Sequence, residues 1–255
     1  MQPTPMMSPP DDPVPMPSAT TRGRRRWPPL ARRSAAREWL DAGGLSRTEL
    51  ETNLADLARL NRLPGGRRAS VDAIERLAGG RRPLSVLDAG TGQGDMPLAF
   101  AGRGWEVVGL DADPDVAAVA RATVDGAPGV RIVEGDARAL PFADASFDVA
   151  HCSLLVHHLD PASAVTVLRE LARVTRIGVV VNDLRRGLLP LLATATAVTA
   201  LGRCRTTRHD GVVSVLRAYR SHELEQLLVA SGLRAVHRTP AWMPRVVTSA
   251  VSERR

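Results

Sequence analysis

The sequence predicts an α/β fold with a doubly wound, mostly parallel sheet, and three observations predict it. Short apolar runs recur along the middle of the chain, at residues 84–88, 105–111, 130–136, 147–152 and 177–183. Helix-like stretches separate them, the alternation that builds parallel sheets. Each run ends in polar residues: Asp88, Asp111, Asp136, then Ser153 with His157 and His158 just beyond, and Asn182-Asp183. In such sheets ligands bind outside the carboxyl ends of the strands, so these ends are expected to converge on one crevice.

The first run carries the most information. Val86-Leu87-Asp88-Ala89 leads into Gly90-Thr91-Gly92-Gln93-Gly94, and a helix-like stretch follows. Glycine permits positive φ and lets another molecule approach backbone that a Cβ would shield. Strand, glycine turn and helix start together form a nucleotide-type cradle. The spacing is G-x-G-x-G, whereas dinucleotide binders use G-x-G-x-x-G, which counts against a nicotinamide enzyme. The second run ends in Asp111-Ala112, where an acid can reach a ribose diol. The third ends in Gly135-Asp136-Ala137, and the fourth is preceded by Leu140-Pro141-Phe142-Ala143-Asp144-Ala145-Ser146-Phe147-Asp148.

With these residues in place, the chain resembles the class I S-adenosylmethionine-dependent methyltransferases, well over residues 70–183 and loosely elsewhere. The resemblance implies a Rossmann-like fold: a seven-stranded, mostly parallel sheet with helices on both faces and an antiparallel last strand. It implies S-adenosyl-L-methionine as cofactor, bound by Asp88, Gly90, Thr91, Gly92, Gly94, Asp111, Ala112, Asp136, Ala137 and Ser153. The glycine turn and the helix start suit the methionine carboxylate, and Asp88 suits the ammonium. Asp111 suits the ribose hydroxyls, and Asp136 the adenine amino group with Ala137 beside it. Asp88 has a competing role as a loop cap. Asn182-Asp183-Leu184 and the segment from Arg208-His209-Asp210-Gly211 to Arg217-Ala218-Tyr219 are similar to bacterial small-molecule methyltransferases. Some of those are encoded beside type III polyketide synthases and act on phenolic products.

Methyl transfer is a direct displacement, so positioning supplies much of the rate. A phenol, with a pKa of ~10, also needs help to ionise. His157, His158 and Asp183 are the candidate catalytic residues, as a His–Asp base over the methyl group, although either histidine also suits packing. His209-Asp210, read as a loop with Asp210-Gly211 as its turn, is a second candidate dyad. The fourth run lacks the Asn/Asp-Pro-Pro-Tyr/Phe motif of nucleic-acid amino-methylation, and no paired-Glu loop of arginine methylation is present. O-methylation of a small hydrophobic acceptor is the expectation. C-methylation of a quinone- or isoprenoid-like ring and a non-catalytic binding subunit are the alternatives.

Composition sets the remaining bounds. The 255 residues suit one α/β domain with appendages. The net charge of +7 includes six Arg and two Asp within residues 1–35, so the body carries little of it. Eight aromatic residues are too few for a stacking nucleic-acid surface, so nucleic acid is not an expected partner. Cys152 and Cys204 form no metal-ligand spacing and no metal is expected; with no secretory signal, they point to a cytoplasmic protein. No apolar run is long enough to span a bilayer.

Residues 1–29 hold nine of the nineteen prolines and are expected to be a disordered Pro/Arg-rich tail, including the solvated Arg24-Arg25-Arg26 run. Residues 30–80 are expected to supply helices over the site, at 35–40, 47–63 and from 70 to 77. Residues 81–255 are the expected catalytic domain, with a helical lid near 186–215. Its stretch 188–201 is expected to be broken by Pro190. A helix N-capped by Ser221 and strands at 234–239 and 245–251 are expected to close it.

Overall fold

A computed structural model describes residues 30–253; the expectations for the tail at 1–29 lie outside the described residues. Seven strands form one sheet: β1 (Ser85–Ala89), β2 (Glu106–Asp111), β3 (Val130–Glu134), β4 (Phe147–Ser153), β5 (Thr175–Leu184), β6 (Leu233–Arg238) and β7 (Arg245–Ser252). Their order is β3-β2-β1-β4-β5-β7-β6. The first five pair in parallel, and β7 runs antiparallel to both β5 and β6. The chain reverses direction across the sheet between β1 and β4, the crevice where such sheets bind ligands.

Side-chain alternation assigns each face of the sheet. Val86, Val107, Val149, Val180 and Val247 pack with Ile74, Phe100 and Trp105 on one face. They meet α3 (Arg67–Ala78) and α4 (Asp95–Ala101). Leu87, Leu110, Ala150, Cys152, Val179 and Val181 pack with Leu168, Leu171 and Leu228 on the other. There they meet α6 (Pro161–Arg173) and α9 (Ser221–Ala230), while α5 (Pro114–Thr123) covers β2 and β3. Each buried aliphatic side chain contributes roughly 1.5–3 kcal/mol relative to exposure, so these two faces set the strand register.

The remaining helices gather over the carboxyl ends of the strands. They are α1 (Trp39–Ala42), α2 (Arg47–Leu60), α7 (Leu188–Leu201) and α8 (Arg205–Arg217). α2 opens with a capping box, in which Ser46 and Glu49 satisfy each other's backbone N–H groups.

The structure corrects four local expectations. Residues 35–38 are not helical. Glu38 is extended at φ −78 and ψ 147, and α1 starts at Trp39 because the Asp210 carboxylate accepts the Trp39 and Leu40 N–H groups at 2.8 and 3.0 Å. Pro190 does not break α7: it sits in the first turn, where its missing N–H has no partner to lose. Asp210-Gly211 is not a turn but lies inside α8, where a Cβ on Gly211 would stand 2.6 Å from Val198 Cγ1, so glycine permits the close α7–α8 crossing. Ser221 does not cap α9; the cap is Arg220, whose N–H donates to Glu223 at 2.8 Å.

Candidate active site

A cavity of about 610 Å³ opens at the carboxyl ends of β1 and β4, beneath α1, α2, α7 and α8. Of the residues singled out above, Asp88, Gly90, Thr91, Gly92, Asp111, Ser153, His157 and His158 line it. Gly94 caps α4 from the residue before it, and Asp183 stands behind His157. Ala112, Asp136 and Ala137 lie outside its lining. The Asp136 carboxylate is instead taken up by Arg138, at 2.7 and 2.9 Å, which holds its pKa below the usual range.

At one end of the cavity the glycine turn presents bare backbone. Gly90, Gly92 and Gly94 have φ of 69, 56 and 89°, conformations that favour glycine. A Cβ on Gly92 would meet nothing within 4 Å, whereas one on Gly94 would stand 2.9 Å from Val124 Cγ1. Asp111 faces the turn, its carboxylate accepting from Gly92 N–H at 3.0 Å and Asp113 N–H at 3.2 Å. Burial raises its pKa, the two N–H donors oppose that, and neighbouring Asp113 and Asp88 add to it. The Ser153 hydroxyl is buried with no hydrogen-bond partner among the described residues.

Asp88 has a larger part in the fold than its place in the turn suggests. Its carboxylate accepts from Thr91 Oγ1 at 2.8 Å, fixing the turn, and pairs with His151 Nδ1 at 2.6 Å. His151 is fully buried on β4 and its Nε2 meets Ser70 at 2.9 Å; Ser70 in turn accepts from Asn182 Nδ2 at 2.8 Å. This polar chain ties β1, β4, β5 and α3 together under the cavity. Sequence reasoning passed over His151, although it shares a strand face with Val149, where a polar residue demands a partner.

At the other end, His157 and His158 occupy a single 3₁₀ turn (Val156–His158) beyond β4. Leu154, left-handed at φ 55, redirects the chain into that turn. Asp183 accepts from His157 twice, at 2.6 Å from Nδ1 and 3.0 Å from the backbone N–H. Burial pushes the Asp183 carboxyl up, but the charge and hydrogen bonds of His157 outweigh it and leave the pKa below the usual range.

Two acids from the N-terminal segment complete this end, and sequence reasoning missed both. Glu38 Oε1 stands 3.6 Å from His157 Nε2, and Glu38 Oε2 stands 3.8 Å from His158 Nε2. Asp41 pairs with His158 Nδ1 at 2.9 Å and with Arg217 at 3.0 Å. Burial lifts the Glu38 carboxyl to about 7, with His158 opposing and Asp41 reinforcing the shift. Glu38, His157 and His158 also bring three ligand-type atoms within 4.8 Å of one another, the donor set a divalent cation would use. The segment is anchored by Arg33, which donates to the His157 and Leu159 carbonyls, and by the Asp210 cap. His209 pairs with Asp210 at 2.7 Å but stacks on Trp39 outside the cavity lining.

Residues 86–178 match the family described as methyltransferase domain. Over this stretch the chain is similar to the class I S-adenosylmethionine-dependent methyltransferase superfamily. The uncharacterized methyltransferase YcgJ of Bacillus subtilis is 42% identical over 94 residues, 36% of either chain. The demethylmenaquinone methyltransferase of Beutenbergia cavernae is 38% identical over 112 residues, 44% of this chain and 43% of that one. The chain thus spans less than half the length of these curated relatives. Human N-acetylserotonin methyltransferase, solved in complex with SAM, shares the fold at a TM-score of 0.62 and 16% identity, over 81% of this chain and 56% of that one.

The methyltransferase cradle fits S-adenosylmethionine on its own features. Open space over Gly92, a Ser153 hydroxyl with no partner among the described residues and an Asp111 carboxylate that receives only backbone N–H groups suit a ligand rich in hydroxyl and amine donors. No described helix is long and apolar enough to cross a membrane.

Proposed function

We propose that this chain transfers a methyl group from S-adenosylmethionine to a hydroxyl of a small hydrophobic acceptor of the phenolic class. One observation carries the reading: a single cavity joins the glycine turn and Asp111 to an imidazole held by a buried carboxylate, through walls that include Leu54, Leu57, Leu154, Ala193, Ala197 and Val198. When bound, the cofactor supplies a methyl group on a positively charged sulfur.

The chain's own residues orient the acceptor and receive its proton. With Nδ1 donating to Asp183, His157 would keep its Nε2 lone pair for a proton, on the side where cavity-lining Glu38 Oε1 stands at 3.6 Å. His157 Nε2 would take the proton of the acceptor hydroxyl, and the oxygen so freed would receive the methyl group that the cofactor would supply. Glu38, His158 and Asp41 then continue outward from His157, with Glu38 buried and the His158 and Asp41 side chains 22 and 32% exposed, and so offer the proton a way to solvent. In this reading helices α7 and α8, near 186–215, act as a lid, and residues 30–80 cover the cavity.

The test is incubation of the protein with S-adenosylmethionine and 4-hexylphenol, following S-adenosylhomocysteine release and product mass. An O-methyl ether is the expected product. Failure of the protein to bind either cofactor form in calorimetry refutes the reading. The similarity to a demethylmenaquinone methyltransferase supports a second reading, C-methylation of a quinol ring. A methyl group retained on carbon in product fragmentation, with a naphthoquinol acceptor, selects it.

A further inference from the structure

Arg245 opens β7, opposite Leu184 at the carboxyl end of β5, and lines the cavity although it is only 7% exposed. Its Nη2 donates to Asn61 Oδ1 at 2.9 Å. Its Nη1 is buried with no hydrogen-bond partner, and no carboxylate pairs with it within 4.0 Å among the described residues. A buried guanidinium without a counterion is costly, and the cost is removed by an anion that fits its planar fork.

The surroundings say which anion. Asn61 also donates, through Nδ2, to Asp95 Oδ2 at 3.2 Å, and Asp95 is the first residue of α4, directly after Gly94. Asn61 therefore links Arg245 to the first residue after the glycine turn, on the cavity wall that Asp95 shares. The start of α4 is itself a poor anion holder. It places Asp95 in the first turn, Pro97 there has no N–H, and the helix has only seven residues. A carboxylate at this end needs a cation from elsewhere, and an ammonium group finds Asp95 and Asp88, both of which line the same wall.

We propose that Arg245 binds the carboxylate of the cofactor's amino-acid moiety, so that Arg245 and Asp95 together read a zwitterion. The proposal rests on the cofactor reading above and deepens it. Burial lowers the Arg245 pKa to about 10, with Asp183 and Asp95 opposing the shift, so the group stays cationic at neutral pH and is ready for an anion.

The experiment compares two ligands by calorimetry: S-adenosylhomocysteine, and 5′-methylthioadenosine, which keeps the nucleoside and sulfur but lacks the amino acid. Arg245→Met should weaken S-adenosylhomocysteine by at least about 30-fold, the loss seen when one member of a buried charge pair is removed. Binding of 5′-methylthioadenosine should change by less than about twofold. Equal losses for both ligands, or no loss for either, overturn the proposal. The wild-type protein supplies an arm that no folding defect can obscure: the methyl ester of S-adenosylhomocysteine should bind at least about tenfold more weakly than the free acid, and equal binding overturns the proposal. A wild type that binds neither nucleoside fails the cofactor reading and this proposal together. Retained S-adenosylhomocysteine affinity in Arg245→Met fails this proposal alone.

Discussion

Asp111→Asn tests the nucleoside end of the cavity without knowledge of the acceptor. The carboxylate already accepts two backbone N–H groups, from Gly92 and Asp113, and still has lone pairs facing the cavity. Two ribose hydroxyls would use them. A hydrogen bond to a charged group is worth ~1.5–3 kcal/mol, and the amide keeps one accepting oxygen. The variant should therefore lose about one such bond, or roughly 10- to 150-fold in S-adenosylhomocysteine affinity. The pH dependence carries a second signature. Burial raises the Asp111 pKa above 3.8 in the folded protein, so ionisation of this group costs the ligand-free fold stability as pH rises through that value. Hydroxyl donors favour the ionised form, so affinity should strengthen across the same window and weaken as pH falls through it. Calorimetry at several pH values reads both effects, with thermal unfolding as the control for folding. A wild-type-like affinity in Asp111→Asn, or a variant that keeps the wild-type acid limb, refutes the assignment.

Asp183→Asn should leave S-adenosylhomocysteine affinity within about threefold but cut turnover of 4-hexylphenol by ~10²–10⁴, the range of positioned acid–base groups, since an amide cannot hold the His157 tautomer that keeps Nε2 free. Unchanged turnover would remove His157 as base. The glycines separate stability from binding. Gly94→Val combines φ 89° with a Cβ 2.9 Å from Val124 and should lower stability by ~1–3 kcal/mol in denaturant unfolding. Gly92→Val points into open space, so beyond the strain of its positive φ its main effect should be lost cofactor binding. Equal melting losses with equal binding would sink that distinction.

The sheet was legible because β1, β2, β4 and β5 are buried on both faces and read as apolar runs with polar ends, while β3, at the sheet edge, keeps the polar end without the burial. β5 is the clearest case, buried from Gly178 to Leu184. Local signals misled where a distant partner decides the backbone. Nothing in residues 35–42 announces that Asp210, about 170 positions later, caps α1 there, so the helix was placed several residues early. Asp210-Gly211 has the composition of a turn. It is helical because Gly211 lets α8 pack against Val198, a tertiary demand that propensity does not contain.

The same division runs through the site. The glycine turn, Asp111 and the His157–Asp183 pair sit at strand ends, where the position of a residue in its element implies its direction, and sequence places them together. Glu38 and Asp41 come from the cap and the single turn of α1, which a distant carboxylate positions, and Arg245 from the start of an antiparallel strand, where local sequence implies no direction. Their signal is energetic rather than periodic. Among the described residues, Glu38 Oε1 has no hydrogen-bond donor and Arg245 Nη1 has no acceptor, and burying either charge so is costly. Both line one cavity, Glu38 beside the proposed base and Arg245 linked through Asn61 to Asp95, the residue after the glycine turn. That arrangement suits a reaction that brings in a zwitterionic cofactor at one end and must release a proton at the other. A chain that only bound a partner through this face would have no use for either charge.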